Sequence, residues 1–122
     1  MATSSAGFRA GDVVVVPFPY TDRFAEKRRP ALVVSNSAVG SLGYVWVVMI
    51  TSARHARNRH DLLIADLKPT GLDAPSLVRP IKIACIEPSR IIRKVGVLSR
   101  GEVELACATI QSFIGLRSRL KE

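Results

Sequence analysis

With 122 residues, the chain has room for one domain around a single core. Hydrophobic residues at 48% against charged residues at 23% exclude an intrinsically disordered chain, and no apolar run approaches the ~20 residues of a membrane helix, so no membrane partner is expected. The formal charge is +8 and arginine fills thirteen of the eighteen basic positions, which points to a polyanionic partner, because the planar guanidinium matches phosphate oxygens.

Met1 to Gly7 is small and polar and lacks the apolar core of a signal peptide. Residues 1–10 are expected as a disordered lead-in, 11–116 as a single domain and 117–122 as a basic tail. Gly11-Asp12 opens the first element, and Val13 to Phe18 reads as a strand of nearly unbroken apolar character, ended by Pro17, Pro19 and Thr21-Asp22. A basic loop follows from Asp22 to Arg29. Arg28-Arg29-Pro30 then leads into Ala31 to Ser35, a second strand. Pro30 fixes its own φ and pushes Arg29 into an extended conformation, which predicts Arg29 at the mouth of that strand with its guanidinium toward the loop side. Such a rigid placement suits a group that meets a phosphate in one orientation. Taken alone, the motif favours the plainer role of arginines that solubilise the start of a core strand.

Asn36 to Gly43 reads as a Ser/Gly-rich turn, and Tyr44 to Ile50 as a third strand with Trp46 as a core or dimer-packing residue. Thr51-Ser52 closes it. The basic loop Arg54 to His60 leads to a fourth strand candidate, Asp61 to Leu67, and Lys68 to Pro75 turns. Ser76 to Val78 and Ile81 to Ile86 read as short strands interrupted at Pro80, which predicts a bulge or an edge. After a turn at Pro88 to Arg90, Ile91 to Leu98 carries one more short strand or two. Ser99-Arg100-Gly101-Glu102 matches a capping box, and Val103, Ala106, Ile110, Phe113 and Ile114 fall on one face of the helix it starts. Short strands in series followed by one amphipathic helix predict a mainly β fold, a small barrel or sandwich with a terminal helix packed on it. Cys85 and Cys107 lie in apolar surroundings, far apart in sequence. Without a secretion signal they are expected as reduced core thiols in a cytoplasmic protein.

In order and spacing, Gly11-Asp12-Val13-Val14, Arg29-Pro30-Ala31-Leu32-Val33-Val34, Ile50-Thr51, the Ser76 to Ile86 region, Lys94-Val95-Gly96 and the closing helix resemble the MazF/PemK toxins of bacterial toxin–antitoxin systems. The likeness runs from Gly11 to Leu116. It implies an SH3-like β-barrel with a C-terminal helix, a homodimer, and an endoribonuclease that cuts single-stranded RNA without metal or cofactor and is neutralised by a cognate antitoxin with an acidic, flexible segment. Carried over by motif position, the family's catalytic pair falls on Arg29 and Thr51, and its ribonucleotide-binding serine on Ser76. The loop Phe24-Ala25-Glu26-Lys27-Arg28 departs from the family's usual residues, so base preference does not carry over.

Cleavage by the RNA's own 2′-OH would leave a 2′,3′-cyclic phosphate and a 5′-OH. Arg29 suits the charge growing on the phosphoryl oxygens, and Thr51 can donate to one of them or orient the attacking hydroxyl. Arg23, Lys27, Arg28, Ser52, Arg54, Arg57 and Lys82 are candidate RNA contacts beside Ser76, with affinity that falls as salt rises. Phe18, Tyr20 and Phe24 are candidates for base stacking. His55 and His60 sit in a polar loop without i, i+4 histidine spacing or a nearby cysteine, so no metal site is expected. They read first as solvated or RNA-contacting residues, with an acid–base role as the sharper alternative. Two rival functions remain: a non-catalytic SH3-like RNA-binding module, and a protein-targeting toxin of the gyrase-poisoning kind. The end of the chain lacks the tryptophan-containing tail that the latter uses.

Overall fold

The computed structural model describes residues 7–19 and 26–116, with the side chains of Phe18, Pro19 and Glu26 excepted. Arg23, Tyr20, Phe24, the first six residues and the 117–122 tail therefore lie outside the described residues. In chain order the elements are β1 (Asp12–Pro19), β2 (Glu26–Val33), the one-turn α1 (Ser37–Gly40), β3 (Val45–Ser52), β4 (Leu62–Leu63), β5 (Ser76–Ile86), β6 (Arg93–Val97) and α2 (Arg100–Ser112). The strands form one antiparallel sheet in the order β4-β5-β3-β2-β1-β6, curled into a half-barrel with α2 packed on it. This is the expected mainly β architecture with its C-terminal helix.

Alternation along β3 explains why its apolar run is continuous, since both faces are buried. Val48 and Ile50 face one cluster with Val13, Leu32, Ile64, Val78, Leu98 and Ala106. Val45, Val47 and Met49 face the other, with Val14, Val16, Ala31 and Val33. The first cluster is covered by Val103, Ala106 and Ile110 of α2. The second is covered in part by Phe8, Ile86 and Ile91.

Several elements differ from the local expectation, each for a tertiary reason. β2 starts at Glu26, not Ala31, because Pro19 to Val13 of β1 offers a full-length partner for Glu26 to Leu32. Lys27, Arg28 and Arg29 are thus in the sheet and not in a loop, and Arg29 pairs with Val16 instead of standing at the strand's mouth. Asn36 to Gly43 holds a helical turn, with the Asn36 side chain accepting from the Ala38 N–H at 2.9 Å. The fourth strand shrinks to Leu62–Leu63, since Asp61 is taken by an ion pair and the Ala65 N–H donates to Glu102 of α2 at 2.8 Å. The two short strands expected around Pro80 are one, Ser76–Ile86, whose register against β3 jumps from Met49↔Arg79 to Val48↔Ile83. The expected bulge is there, and it absorbs the proline.

The capping box forms in modified shape. The Ser99 hydroxyl accepts from the Glu102 N–H at 3.3 Å and donates to the Glu102 carboxylate at 2.8 Å, while the second carboxylate oxygen goes to Ala65. The helix start is thereby tied to the end of β4. On the expected apolar face, Ala106 is fully buried and Ile114 is 63% exposed. Trp46 is not a core residue of the single chain: it is exposed on β3 beside Cys85, which is exposed as well. Of the two thiols expected in the core, only Cys107 is partly buried, 3.9 Å from the Val34 carbonyl, and both are free.

Candidate active site

Pro30 organises the site by ending a ladder. The Val15 carbonyl accepts from the Ile92 N–H at 2.8 Å, so it points away from β2, and Val15↔Pro30 is a pair without direct hydrogen bonds. The proline nitrogen, which has no proton to give, therefore lies on the β3 side, where the β2–β3 pairing stops at Ala31↔Met49. Continued by two residues, that register sets Arg29 opposite Thr51, on one face of the sheet but past the last ladder bond. The same proline that makes the sequence motif opens the space the two side chains share.

Arg29 and Thr51 line an open groove of about 370 Å³ together with Ser52, Ser76, Asp73 and Arg93, between the end of β3 and the loop that precedes β5. Thr51 is 5% exposed and Arg29 half-buried. Ser76 pairs directly with Ser52 across β3 and β5, and its hydroxyl donates to the Ala74 carbonyl at 2.8 Å, which leaves its oxygen free to accept. The Ser52 oxygen accepts from the Arg54 N–H at 3.1 Å, so its own proton remains to donate. The groove's outer wall, Gly71 to Pro75, is pressed against β6. A Cβ on Gly96 would overlap the carbonyls of Pro69 and Thr70, and one on Gly71, whose φ is +75°, would overlap that of Val95.

The structure also brings His55 to the pair. Its Nδ1 lies 2.8 Å from the Thr51 hydroxyl oxygen. Behind it the basic loop is pinned by Asp61, whose carboxylate takes Arg79 Nε at 3.1 and 3.2 Å, Arg79 Nη2 at 2.8 Å and the Asn58 N–H at 2.8 Å. Burial pushes the Asp61 carboxyl up. The hydrogen bonds from Arg79 and Asn58 and the charges of Arg79 and Arg57 outweigh that and hold it below its ordinary value. Arg79 Nη2 also donates to the Ala56 carbonyl, and Arg57 Nη2 to that of Asp61. Arg57 is thus engaged in the loop's own structure, whereas Arg54 is exposed. Lys27 and Arg28 lie exposed on β2 and Lys82 in the β5 bulge, none of them in the groove lining. His60 turns away and meets Phe113, at the end of α2, edge-on at 5.3 Å between ring centres.

The chain matches the model of the PemK-like, MazF-like toxins of type II toxin–antitoxin systems over residues 9–114. It belongs to that family. MazF from Deinococcus radiodurans has the same fold, with a TM-score of 0.70 at 20% identity over 89% of this chain and 97% of that one. So do an endoribonuclease from a mycobacterial species in complex with its cognate antitoxin (0.66, 17%, 89% and 99%) and the Mycobacterium tuberculosis toxin MazF-mt6 (0.62, 22%, 81% and 90%). At such identities the likeness is one of fold. No curated protein matches the chain in sequence.

The groove contains four of the residues singled out from the sequence, Arg29, Thr51, Ser52 and Ser76. It also contains Asp73 and Arg93, which no motif marks. Arg93 arrives through the β1–β6 pairing, Val15↔Arg93, between residues nearly eighty apart, and that contact leaves no local signal. Among the described residues no three His, Cys, Asp or Glu side chains gather as a metal site would require, and no helix is long and apolar enough to cross a membrane.

Proposed function

We propose that the protein is a metal-independent, sequence-selective endoribonuclease toxin that cuts single-stranded RNA in the Arg29–Thr51 groove. The observation that carries this reading is the register that sets Arg29 opposite Thr51 where the β2–β3 ladder ends. The RNA's 2′-OH gives up its proton as its oxygen bonds to the adjacent phosphorus, the bond to the 5′-oxygen breaks, and that oxygen takes a proton from water. The products are a 2′,3′-cyclic phosphate and a 5′-OH. Arg29 is always cationic and is held in the sheet, so it meets the growing phosphoryl charge without reorganising. Thr51, nearly buried, supplies a hydroxyl at the attacking side. Ser52 adds a donor, Ser76 an acceptor and Arg93 one further cation to the lining, and the exposed Lys27, Arg28 and Arg54 extend the basic surface for backbone phosphates.

The same surface suits an acidic antitoxin segment, which would neutralise the protein by covering the groove. A second copy of the chain suits the apolar strip of Trp46, Ile83 and Cys85 on adjacent β3 and β5, because a lone chain leaves these side chains in water. The deciding experiment is cleavage of a long, mixed-sequence, end-labelled single-stranded RNA in EDTA by wild type, Arg29→Ala and Thr51→Ala. Wild type is expected to cut to cyclic-phosphate ends, and each folded variant to lose on the order of 100-fold or more in rate. Binding without cleavage would replace the enzyme with an RNA-binding module, and neither binding nor cleavage would turn attention to a protein target.

A further inference from the structure

We propose that His55 is the proton-accepting and positioning partner of Thr51: it takes up, through the Thr51 hydroxyl, the proton released by the attacking 2′-OH. This deepens the ribonuclease reading and rests on it. A hydroxyl within hydrogen-bond reach of an imidazole nitrogen is the arrangement by which proteins move protons off alcohols, and Thr51 Oγ1 to His55 Nδ1 is 2.8 Å. With Nδ1 unprotonated, the imidazole accepts the Thr51 proton, and the threonine oxygen turns its lone pairs to the groove. The 2′-OH can then hand its proton to Thr51 as Thr51 hands its own to His55. The 2′-oxygen bonds to phosphorus, the 5′-oxygen leaves, and one proton ends on the imidazole.

The ring is placed by structure on both sides of it. The Ala53 N–H donates to the Pro75 carbonyl at 2.9 Å and the His55 N–H to that of Ser52 at 3.1 Å, while Arg79 holds the next residue through the Ala56 carbonyl at 2.9 Å. Thr51 is 5% exposed and His55 exposed, so the pair links a dry strand end to solvent, where the proton is finally released. The groove that Thr51 lines carries the charges of Arg29 from β2, Arg93 from β6 and Asp73 from the loop before β5, and the loop of His55 carries Arg54 and Arg57 and is pinned by the Asp61–Arg79 pair.

The test is the pH profile of cleavage of the mixed-sequence RNA by wild type and His55→Asn, whose amide can still reach the Thr51 hydroxyl but cannot carry the proton. Wild-type kcat is expected to rise with pH to a plateau. His55→Asn is expected to lose about 100-fold at the plateau and to lose that limb, with KM and Tm nearly unchanged. Nitrogen NMR of the imidazole should find Nδ1 unprotonated at the plateau. If His55→Asn keeps the wild-type rate and limb, or if Nδ1 carries the proton at the plateau, the relay is overturned and the hydrogen bond is only a tie. If wild type cuts no RNA, the ribonuclease reading itself falls and the relay with it.

Discussion

Replacing Asp61 by alanine should detach the basic loop from the sheet. The carboxylate is 1% exposed and its Arg79 partner 12%, so the pair is out of water and the loss of one member leaves the other charge poorly compensated. Removing one member of such a pair costs about 3–5 kcal/mol. Arg79 keeps its bond to the Ala56 carbonyl and some access to solvent, which sets the expectation at about 3 kcal/mol. With unfolding entropy near 2.1 cal/mol/K per residue, this corresponds to a fall of about 12 °C in Tm, read by circular dichroism. The pH dependence follows from the lowered carboxyl. Its contribution is fully present above the unfolded value of 3.8 and is lost as the pH falls through the lower folded value. The stability gap between wild type and Asp61→Asn should therefore hold at about pH 6 and close in stronger acid. A Tm change of only about 2 °C for Asp61→Ala, or a gap that does not close in acid, would refute this account of the pair.

Gly96→Ala forces a Cβ onto the carbonyls of Pro69 and Thr70, backbone that cannot step aside, and should cost about 1–3 kcal/mol or more in urea unfolding while disturbing the groove wall. Gly101→Ala, in the first turn of α2 with nothing near its Cβ, should be neutral or stabilising in the same assay. In protein dilute enough to be monomeric, Cys85 should react with iodoacetamide about tenfold or more faster than Cys107, whose burial pushes the thiol up and keeps it protonated. Equal rates would place the two thiols in like surroundings.

Much of this molecule is legible locally. The β-branched runs at Val13 to Val16 and Val45 to Ile50 specify strands buried on both faces, because nothing else hides so continuous an apolar stretch in so short a length. Ser99 and Glu102 specify where the helix begins, since their side chains satisfy donors within one turn. Pro30, by lacking a proton, decides that one ladder must stop beside Arg29.

What local chemistry does not decide is which residues meet across the stopped ladder. That depends on register, and register is set by the simultaneous burial of two core faces to which β1, β2, β3 and β5 contribute. Only the fold places Arg29 opposite Thr51, Ser52 against Ser76 and Arg93 on the groove's rim. Even the basic loop reads as a solvated run until Arg79, some twenty residues on, claims Asp61 and leaves His55 against the Thr51 hydroxyl. The charge and the strand order were written along the chain, whereas the constellation that can do chemistry exists only once distant strands pair.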